Sequence, residues 1–181
     1  EITHIFSGKE WIPSTPEHVL LYEFFGWDMP IHAHLPLILN DHGKGTLGTR
    51  FGHASVDFYR DAGYLPEAVL NYLSNIVWNH PEEKEIYTLQ EFSDLLDIEK
   101  VTSQGARFDL QKLTWMNGEY IRAMDTEKLA TMIFEFLTKY NIGNYSLDLV
   151  KKVAPLVQER IKTLKEFDEY ARFFIQPPEL D

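Results

Sequence analysis

The sequence predicts a chain that is α/β at its start and helical from its middle onward, and therefore mostly α overall. A β-rich run at residues 2–6 precedes a helix start at 14–17 and a second apolar run at 35–39. From Pro66 onward the apolar spacing changes from about two residues to about 3.6. Because no Gly/Ser linker or repeat separates these parts, we expect two or three packed subdomains.

The first part has the strand–helix–strand order of the end of an α/β domain. Ser14 or Thr15 is a suitable N-cap, Pro16 suits a first helical turn, and Gly26 is expected to end the helix. The apolar run at 35–39, taken as the second strand, ends in a turn cluster at 40–43. One strand and one helix cannot bury both faces of a parallel sheet, so we expect residues upstream of Glu1, or a partner, to cover an edge.

Four helices are expected in the second part. One begins at Pro66, and Thr88 with Glu91 forms a capping box at the start of another. A third is predicted from a cap at Asp125 or Thr126 to a C-cap at Gly143. The last begins at Ser146, is kinked or split by Pro155, and resumes through Val157, Ile161 and Leu164.

Composition restricts where the chain acts and what it binds. It has 181 residues, no cysteine, and 17 Lys+Arg against 28 Asp+Glu, a net charge of −11. A chain of that sign repels polyphosphate on average, so any RNA contact is expected to be local. No run of about 18 apolar residues and no basic, then apolar, start is present, so we predict a cytoplasmic protein that does not bind membranes.

Four segments carry a resemblance to a known family. They are Ile2-Thr3-His4-Ile5-Phe6-Ser7-Gly8-Lys9-Glu10-Trp11 with the following Ser14-Thr15-Pro16; Ala33-His34-Leu35-Pro36-Leu37-Ile38-Leu39-Asn40; Tyr59-Arg60-Asp61-Ala62-Gly63-Tyr64-Leu65-Pro66-Glu67-Ala68; and Lys112-Leu113-Thr114-Trp115-Met116-Asn117-Gly118-Glu119-Tyr120-Ile121-Arg122. Together, and in this order, they resemble bacterial-type glutamyl-tRNA synthetases, which are class I aminoacyl-tRNA synthetases.

The resemblance implies a domain order and a reaction. Residues 1–40 would be the end of a Rossmann-like nucleotide-binding catalytic domain, an α/β remnant. Residues 41–122 would hold the signature loop and an α+β stem-contact domain, and 123–181 the first anticodon-binding helical bundle. It also implies further parts upstream of Glu1 and downstream of Asp181. The reaction would be a glutamate–tRNA ligase reaction: glutamate and ATP form an adenylate, and the acyl group moves to tRNA.

The resemblance also assigns cofactors, partners and site residues. ATP with Mg²⁺, glutamate and a glutamate-acceptor tRNA, or the glutamine acceptor, would bind a chain that we expect to be a monomer. The implied catalytic residues are Thr46, Thr49 and Arg50, and the implied ATP contacts are Lys44, Thr46, Leu47, Thr49 and Arg50. Glutamate would meet Ser7, Glu10 and Trp11. The implied tRNA contacts are Trp115, Asn117, Arg122, Arg160 and Lys162.

Two departures from the family pattern bear on activity. The family has a Lys-Leu-Ser-Lys-Arg type of loop where this chain has Thr46-Leu47-Gly48-Thr49-Arg50, so only Arg50, with Lys44, supplies charge to the triphosphate. Ser7 stands where the family places a substrate-binding arginine, and a hydroxyl cannot form a bidentate clamp on a carboxylate. The fragment alone is therefore expected to be inactive. The alternative is a non-catalytic RNA-binding or scaffolding relative.

Other interpretations of single motifs were weighed. The run from Gly43 to Gly48 satisfies Gly-x-Gly-x-x-Gly, but no complete βαβ unit follows it, which disfavours a dinucleotide site. His32 and His34 lack a third ligand, so we predict no protein-bound metal. For Trp115 we favour a core position over base stacking, and for Arg122 a surface ion pair and a phosphate contact stay open.

Overall fold

A computed structural model describes residues 2–40, 45, 47, 55–102, 105 and 107–175. Its sheet has two parallel strands, β1 (His4–Gly8) and β2 (Ile31–Leu35), joined by helix α1 (Thr15–Phe25). The register pairs His4 with Ile31 and Gly8 with Leu35. Ile5, Ser7, His32 and His34 consequently share one face of the sheet, since side chains alternate along a strand. The predicted strand–helix–strand order is confirmed.

Helix α1 has the predicted ends, but its start works differently. Pro16 lies in the first turn, and Gly26 ends the helix at a φ of 65°, a left-handed conformation that glycine adopts without a steric penalty. A 3₁₀ turn at Lys9–Ser14 leads directly into the helix and holds Ser14 in a helical conformation. Its hydroxyl donates to the carbonyl of Trp11, 3.0 Å away, so the expected side-chain cap is not formed.

The second strand lies earlier than predicted, at Ile31–Leu35 rather than 35–39. Proline has no N–H to donate, and Pro36 marks where the ladder stops. Beyond it the chain folds back on itself: Leu47 donates its N–H to the carbonyl of Ile38, 2.8 Å away, and Asn40 donates to that of Gly45. Leu39 also forms an isolated parallel bridge with Arg107.

Residues that follow helix α3 (Pro66–Val77) in the sequence form an aromatic cluster. Trp78, which is 2% exposed, meets the rings of His80, Tyr87 and Phe92 edge-on at 5.4–5.8 Å. Phe92 lies on α4 (Leu89–Leu95), and the Thr88 hydroxyl accepts from the N–H of Glu91, as the predicted capping box requires. Offset aromatic pairs of this kind contribute beyond their buried area.

The helical part is built on five elements: α2 (Val56–Asp61), α5 (Leu110–Ala123), α6 (Thr126–Lys139), α7 (Leu147–Val157) and α8 (Phe167–Ile175). Each of α5, α6 and α7 begins at an Asp or Ser whose side chain accepts a backbone N–H. Their apolar stripes meet in one continuous core. Its fully buried members include Leu65, Ile121, Leu129, Ile133, Val150, Val157, Ile161 and Phe167.

Two helix ends differ from the prediction. Helix α6 stops at Lys139, before the predicted C-cap, and the chain then takes left-handed conformations at both Asn141, with φ 52°, and Gly143, with φ 64°. Helix α7 passes through Pro155 and ends two residues later, at Val157. It does not resume: Ile161 lies outside any helix, Leu164 begins a 3₁₀ turn at Leu164–Glu166, and α8 starts at Phe167.

Backbone contacts divide the chain into two compact units that interleave in sequence. One is made of residues 1–47 and 73–108, and the other of 48–72 and 109–181. The domain boundaries drawn from the sequence at 40/41 and 122/123 stay predictions. Among the helices described above, none combines the length and the apolar character needed to cross a bilayer.

Candidate functional site

The carboxyl ends of β1 and β2 lie side by side, because the strands are parallel and in register. In open α/β sheets, ligands bind outside this edge. Ser7 on β1 lies directly opposite His34 on β2, one residue before each strand ends. The segments that follow the two strands carry Glu10 and Trp11 on one side and the loop at 41–50 on the other. The residues to which the family resemblance assigned glutamate and ATP thus lie near the ends of these strands or follow them in sequence.

Hydrogen bonds join the two strands to α1 at this edge. The Ser7 Oγ lies 3.0 Å from His34 Nδ1, and the Thr15 Oγ1 lies 3.2 Å from His34 Nε2. The Thr15 hydroxyl also donates to the carbonyl oxygen of Trp11 at 2.9 Å. Both ring nitrogens of His34 are thus engaged, which fixes the plane of the imidazole between the sheet and the helix.

A cavity of about 290 Å³ lies between this sheet face and α1. Ser7 and Trp11, both predicted to meet the substrate, line it. His32 also lines it, and its Nε2 is buried without a hydrogen-bond partner among the described residues. A buried polar atom left unpaired is costly, so this nitrogen is available to a ligand. The remaining lining residues are Ile5, Thr15, His18 and Tyr22.

Glu10, the third predicted substrate residue, takes a different position. It is exposed and does not line the cavity, and its carboxylate folds back over Gly8 into the space that a Cβ there would occupy. Gly8 therefore leaves room for the carboxylate at the end of β1. The structure brings together Ser7 and Trp11, whereas the side chain of Glu10 turns toward the backbone beside them.

Of the loop residues assigned to ATP, Leu47 lies within the part of the chain that the structure describes. Its backbone N–H is hydrogen-bonded to the carbonyl of Ile38, three residues after β2 ends. Leu47 is therefore hydrogen-bonded to the segment that continues β2. Four further residues assigned to this loop lie outside the described residues, so their roles stay predictions: Lys44, Thr46, Thr49 and Arg50.

Sequence reasoning did not assign a ligand role to four residues of this layer. His32 and His34 were judged structural, and the alternation of the strand is the signal that places them on the face of Ser7. His18 and Tyr22 lie three and seven residues after Thr15, the spacing of one helix face, yet they were not selected. In the described part of the chain no group of three His, Asp or Glu side chains is arranged to hold a metal ion.

Two of the predicted tRNA contacts lie on α5. Trp115 is 39% exposed, so the preferred core position was wrong: the buried stripe of α5 passes through Leu113, Met116 and Asn117 instead. Arg122 forms an ion pair with Glu119 on the same helix and keeps a quarter of its side chain exposed. Of the two interpretations left open for Arg122, the ion pair is observed.

Asn117 is fully buried, which does not fit direct contact with RNA. Its Oδ1 accepts the N–H of Leu65 at 2.8 Å, and its Nδ2 donates to the carbonyl of Lys162. Gly63, with φ 81°, lets the same segment approach, and its carbonyl accepts the N–H of Leu164 at 2.9 Å. Arg160 and Lys162 are exposed on the segment held in this way.

Comparison with known proteins agrees with this arrangement. The family model described as "tRNA synthetases class I (E and Q), catalytic domain" matches residues 1–115, and that described as "Anticodon binding domain" matches residues 128–181. The glutamate–tRNA ligase of Psychrobacter sp. (strain PRwf-1) is 42% identical over 176 residues, which are 97% of this chain and 33% of that protein. That of Acinetobacter baumannii (strain AYE) is 39% identical over 174 residues, 96% of this chain and 33% of the relative.

Solved structures of similar proteins share the fold. A crystal structure of a glutamate tRNA ligase from Elizabethkingia meningosepticum CCUG26117, in complex with its amino acid, matches with a TM-score of 0.82 at 35% identity, over 98% of this chain and 39% of that one. The glutamate-tRNA synthetase from Elizabethkingia anophelis matches with a TM-score of 0.83, also at 35% identity and the same coverage. The chain thus spans about a third of the length of the curated relatives it matches, and it belongs to the class I tRNA synthetases specific for glutamate and glutamine.

Proposed function

We propose that this chain is part of a glutamate–tRNA ligase, which activates glutamate with ATP and transfers it to tRNA. One observation supports this most: Ser7 and Trp11 line a cavity between the parallel strand pair and α1, and Leu47 of the loop donates its N–H to Ile38, three residues after β2 ends. An amino acid held in the cavity would lie next to a triphosphate held by the loop. That proximity is what adenylate formation requires.

The proposed roles follow from side-chain chemistry. Trp11 and Ser7 would border the amino acid, and Lys44, Leu47 and Arg50 would border ATP with its Mg²⁺, which needs no dedicated protein cage. Thr46 and Thr49 have hydroxyls that bind phosphate without neutralising it. Losing one positioned charge on a transition-state oxyanion costs about 3 kcal/mol, or about a hundredfold to a thousandfold in rate. We therefore expect slow adenylate formation.

The proposed tRNA surface is the segment that Asn117 and Gly63 hold in place. Arg160 and Lys162 are exposed there, and cationic side chains on a fixed backbone suit phosphate contacts in a chain that is otherwise acidic. Trp115, partly exposed on α5, would offer a ring for stacking. We propose the glutamate-acceptor tRNA as the partner, with the glutamine acceptor as the alternative, and a monomeric, cytoplasmic protein.

A second candidate function is a non-catalytic RNA-binding or scaffolding relative. The observation that favours it is the pair of substitutions at the two ends of the site: threonines in place of loop lysines, and Ser7 in place of an arginine. This candidate keeps the exposed Arg160 and Lys162 but assigns no reaction to the cavity. The two functions differ in whether glutamate stimulates exchange of pyrophosphate into ATP.

The test is ATP–pyrophosphate exchange with the full-length protein, with and without glutamate and tRNA. Glutamate-dependent exchange supports the ligase, whereas tRNA binding without exchange supports the scaffold. The quadruple variant Ser7→Arg, Thr46→Lys, Gly48→Ser and Thr49→Lys restores the family pattern. We expect it to raise exchange by about a hundredfold or more, because it returns the missing charges.

Two controls complete this test. The 181-residue chain alone is expected not to charge tRNA, since it spans about a third of its relatives, and efficient charging by it would contradict the proposal. The variant Arg50→Ala in the quadruple background is expected to remove the gain in exchange. If the restored loop brings no activity in the full-length protein, the assignment of the loop is wrong.

A further inference from the structure

The direction of each hydrogen bond around His34 can be assigned from Thr15. A threonine hydroxyl has one proton, and that of Thr15 is donated to the carbonyl oxygen of Trp11 at 2.9 Å. Toward His34 Nε2, 3.2 Å away, the Thr15 oxygen is therefore an acceptor. It follows that Nε2 of His34 carries a proton and donates it to Thr15.

This assignment determines the other ring nitrogen. A neutral imidazole with its proton on Nε2 has a lone pair on Nδ1, which can only accept. The partner of Nδ1 is the Ser7 Oγ at 3.0 Å, so the Ser7 hydroxyl donates its proton to His34. Ser7 has no second proton, and the lone pairs of its oxygen are what it offers to a ligand.

The cavity around Ser7 suits a ligand that donates a hydrogen bond to the Ser7 oxygen. None of the seven described residues that line it is a lysine or an arginine, so none of these residues presents a fixed positive charge to a ligand there. A carboxylate oxygen placed against the lone pairs of Ser7 would meet acceptor with acceptor. A ligand N–H placed there would complete a hydrogen bond, and the unpaired Nε2 of His32 lies in the same wall.

We propose that Ser7 is a specificity-determining residue that accepts a hydrogen bond from an N–H group of the amino acid, either its amino group or a side-chain amide, and that it does not bind a carboxylate. This inference rests on the proposed function, since it takes the occupant of the cavity to be an amino acid. At this position the family resemblance implies an arginine, which donates hydrogen bonds, whereas Ser7 would accept one.

The test measures binding of three probes to the full-length protein without ATP, by isothermal titration calorimetry. The probes are L-glutamate, L-glutamine and glutarate, which has both carboxylates of glutamate but no nitrogen. In Ser7→Ala, loss of the hydrogen bond should raise the Kd by about threefold to tenfold where a neutral amide N–H meets Ser7, and by about tenfold or more where the charged amino group does. Glutarate binding should not change.

The pattern identifies the donor. Weaker binding of both glutamate and glutamine assigns the amino group, and weaker binding of glutamine alone assigns the amide. Unchanged binding of all three probes overturns the inference, and so does equal weakening of all three, which reports a general disturbance of the cavity. If the wild-type protein binds glutarate alone, or none of the probes, the proposed function fails together with the inference.

The matched control is Ser93→Ala, the same change at an exposed serine on α4 outside the cavity, and it should leave all three affinities unchanged. A second variant tests the direction of the bonds. Thr15→Val removes the acceptor for His34 Nε2, so the imidazole can carry its proton on Nδ1 and free the Ser7 proton for a carboxylate. Glutarate should then bind more tightly than in Thr15→Ser, which keeps the hydroxyl. Equal glutarate binding in the two variants contradicts the assigned direction.

Discussion

The strand–helix–strand segment and the helical unit both have helices rich in apolar residues, but they bury these residues to different extents. Helix α1 has Leu20, Leu21, Phe24 and Phe25 among its eleven residues, yet none of its residues is buried, and Phe24 is 80% exposed. Helix α6 carries its apolar residues on one face, and Leu129, Ala130 and Ile133 are completely buried. Apolar residues spread around a helix, as in α1, do not indicate which face is covered, whereas the stripe of α6 identifies the face that is buried.

The largest expected effect comes from the same substitution made in both regions. Leu129→Ala removes a fully buried side chain of the helical core and should lower the free energy of unfolding by about 2–5 kcal/mol. Leu21→Ala, at a position that is 52% exposed on α1, should change it by less than about 0.5 kcal/mol. Urea denaturation of the 181-residue chain measures both. Similar losses of unfolding free energy in the two variants would contradict the difference in burial between α6 and α1.

The buried side chain of Asn117 is expected to contribute strongly to the stability of the helical unit. Asn117→Ala leaves the N–H of Leu65 and the carbonyl of Lys162 buried without their partner, which should cost about 2–4 kcal/mol. The exposed Asn144 provides the matched control, and Asn144→Ala should be nearly neutral. A small effect at Asn117, measured by the same denaturation, would show that other groups hold the segment of Arg160 and Lys162.

Gly63 and Gly26 both have a positive φ, so comparing alanine variants at the two positions distinguishes the effect of backbone strain from that of close packing. At Gly63, φ is 81°, and an added Cβ would lie 2.7 Å from the backbone nitrogen of Lys165. At Gly26, φ is 65°, but nothing lies within 4 Å of an added Cβ. Gly63→Ala should therefore destabilise by about 1–3 kcal/mol more than Gly26→Ala, which has only the strain of about 1 kcal/mol. Equal effects would mean that the contact at Gly63 relaxes freely.

The smallest expected effect is a pH dependence within the helical unit. Burial, followed by the hydrogen bond to Asp168, raises the pKa of Tyr145 from 10.0 to about 12. A raised tyrosine pKa stabilises the fold below the unfolded value, and this contribution is lost as the pH rises from about 10 to about 12. Tyr145→Phe should therefore flatten the decline of the urea midpoint over that range. An unchanged slope in Tyr145→Phe would contradict this assignment.

Local signals in the sequence predicted most elements, and tertiary contacts explain the misses. Pro16 and Gly26 bound α1 as expected, because proline fixes a φ that suits a helix and glycine adopts the left-handed conformation without a steric penalty. Residues 35–39 were assigned to a strand by their apolar character, but Pro36 cannot extend the ladder and the real strand holds His32 and His34. Helix α6 ends at Lys139, four residues before Gly143, and Asn141 already takes a left-handed conformation that residues other than glycine rarely adopt.

The candidate site was predictable in part for the same reason. Motif resemblance selected Ser7 and Trp11, which do line one cavity. It did not distinguish Asn117, whose amide is used internally, from the exposed Arg160 and Lys162, because a motif does not encode which side chain is buried. The proton direction at Ser7 depends on Thr15 and His34, which are 8 and 27 residues away in sequence and come together only in the fold.

Amide hydrogen exchange of the 181-residue chain tests most directly whether the two regions are held so differently. Amides of α5, α6 and α7 should be protected close to the free energy of global unfolding, because their hydrogen bonds open only when the shared core opens. Amides of β1 and α1 should exchange at least about tenfold faster. Their apolar side chains are largely exposed, so opening these elements locally costs little free energy. Equal protection of β1, α1 and α6 would contradict the account.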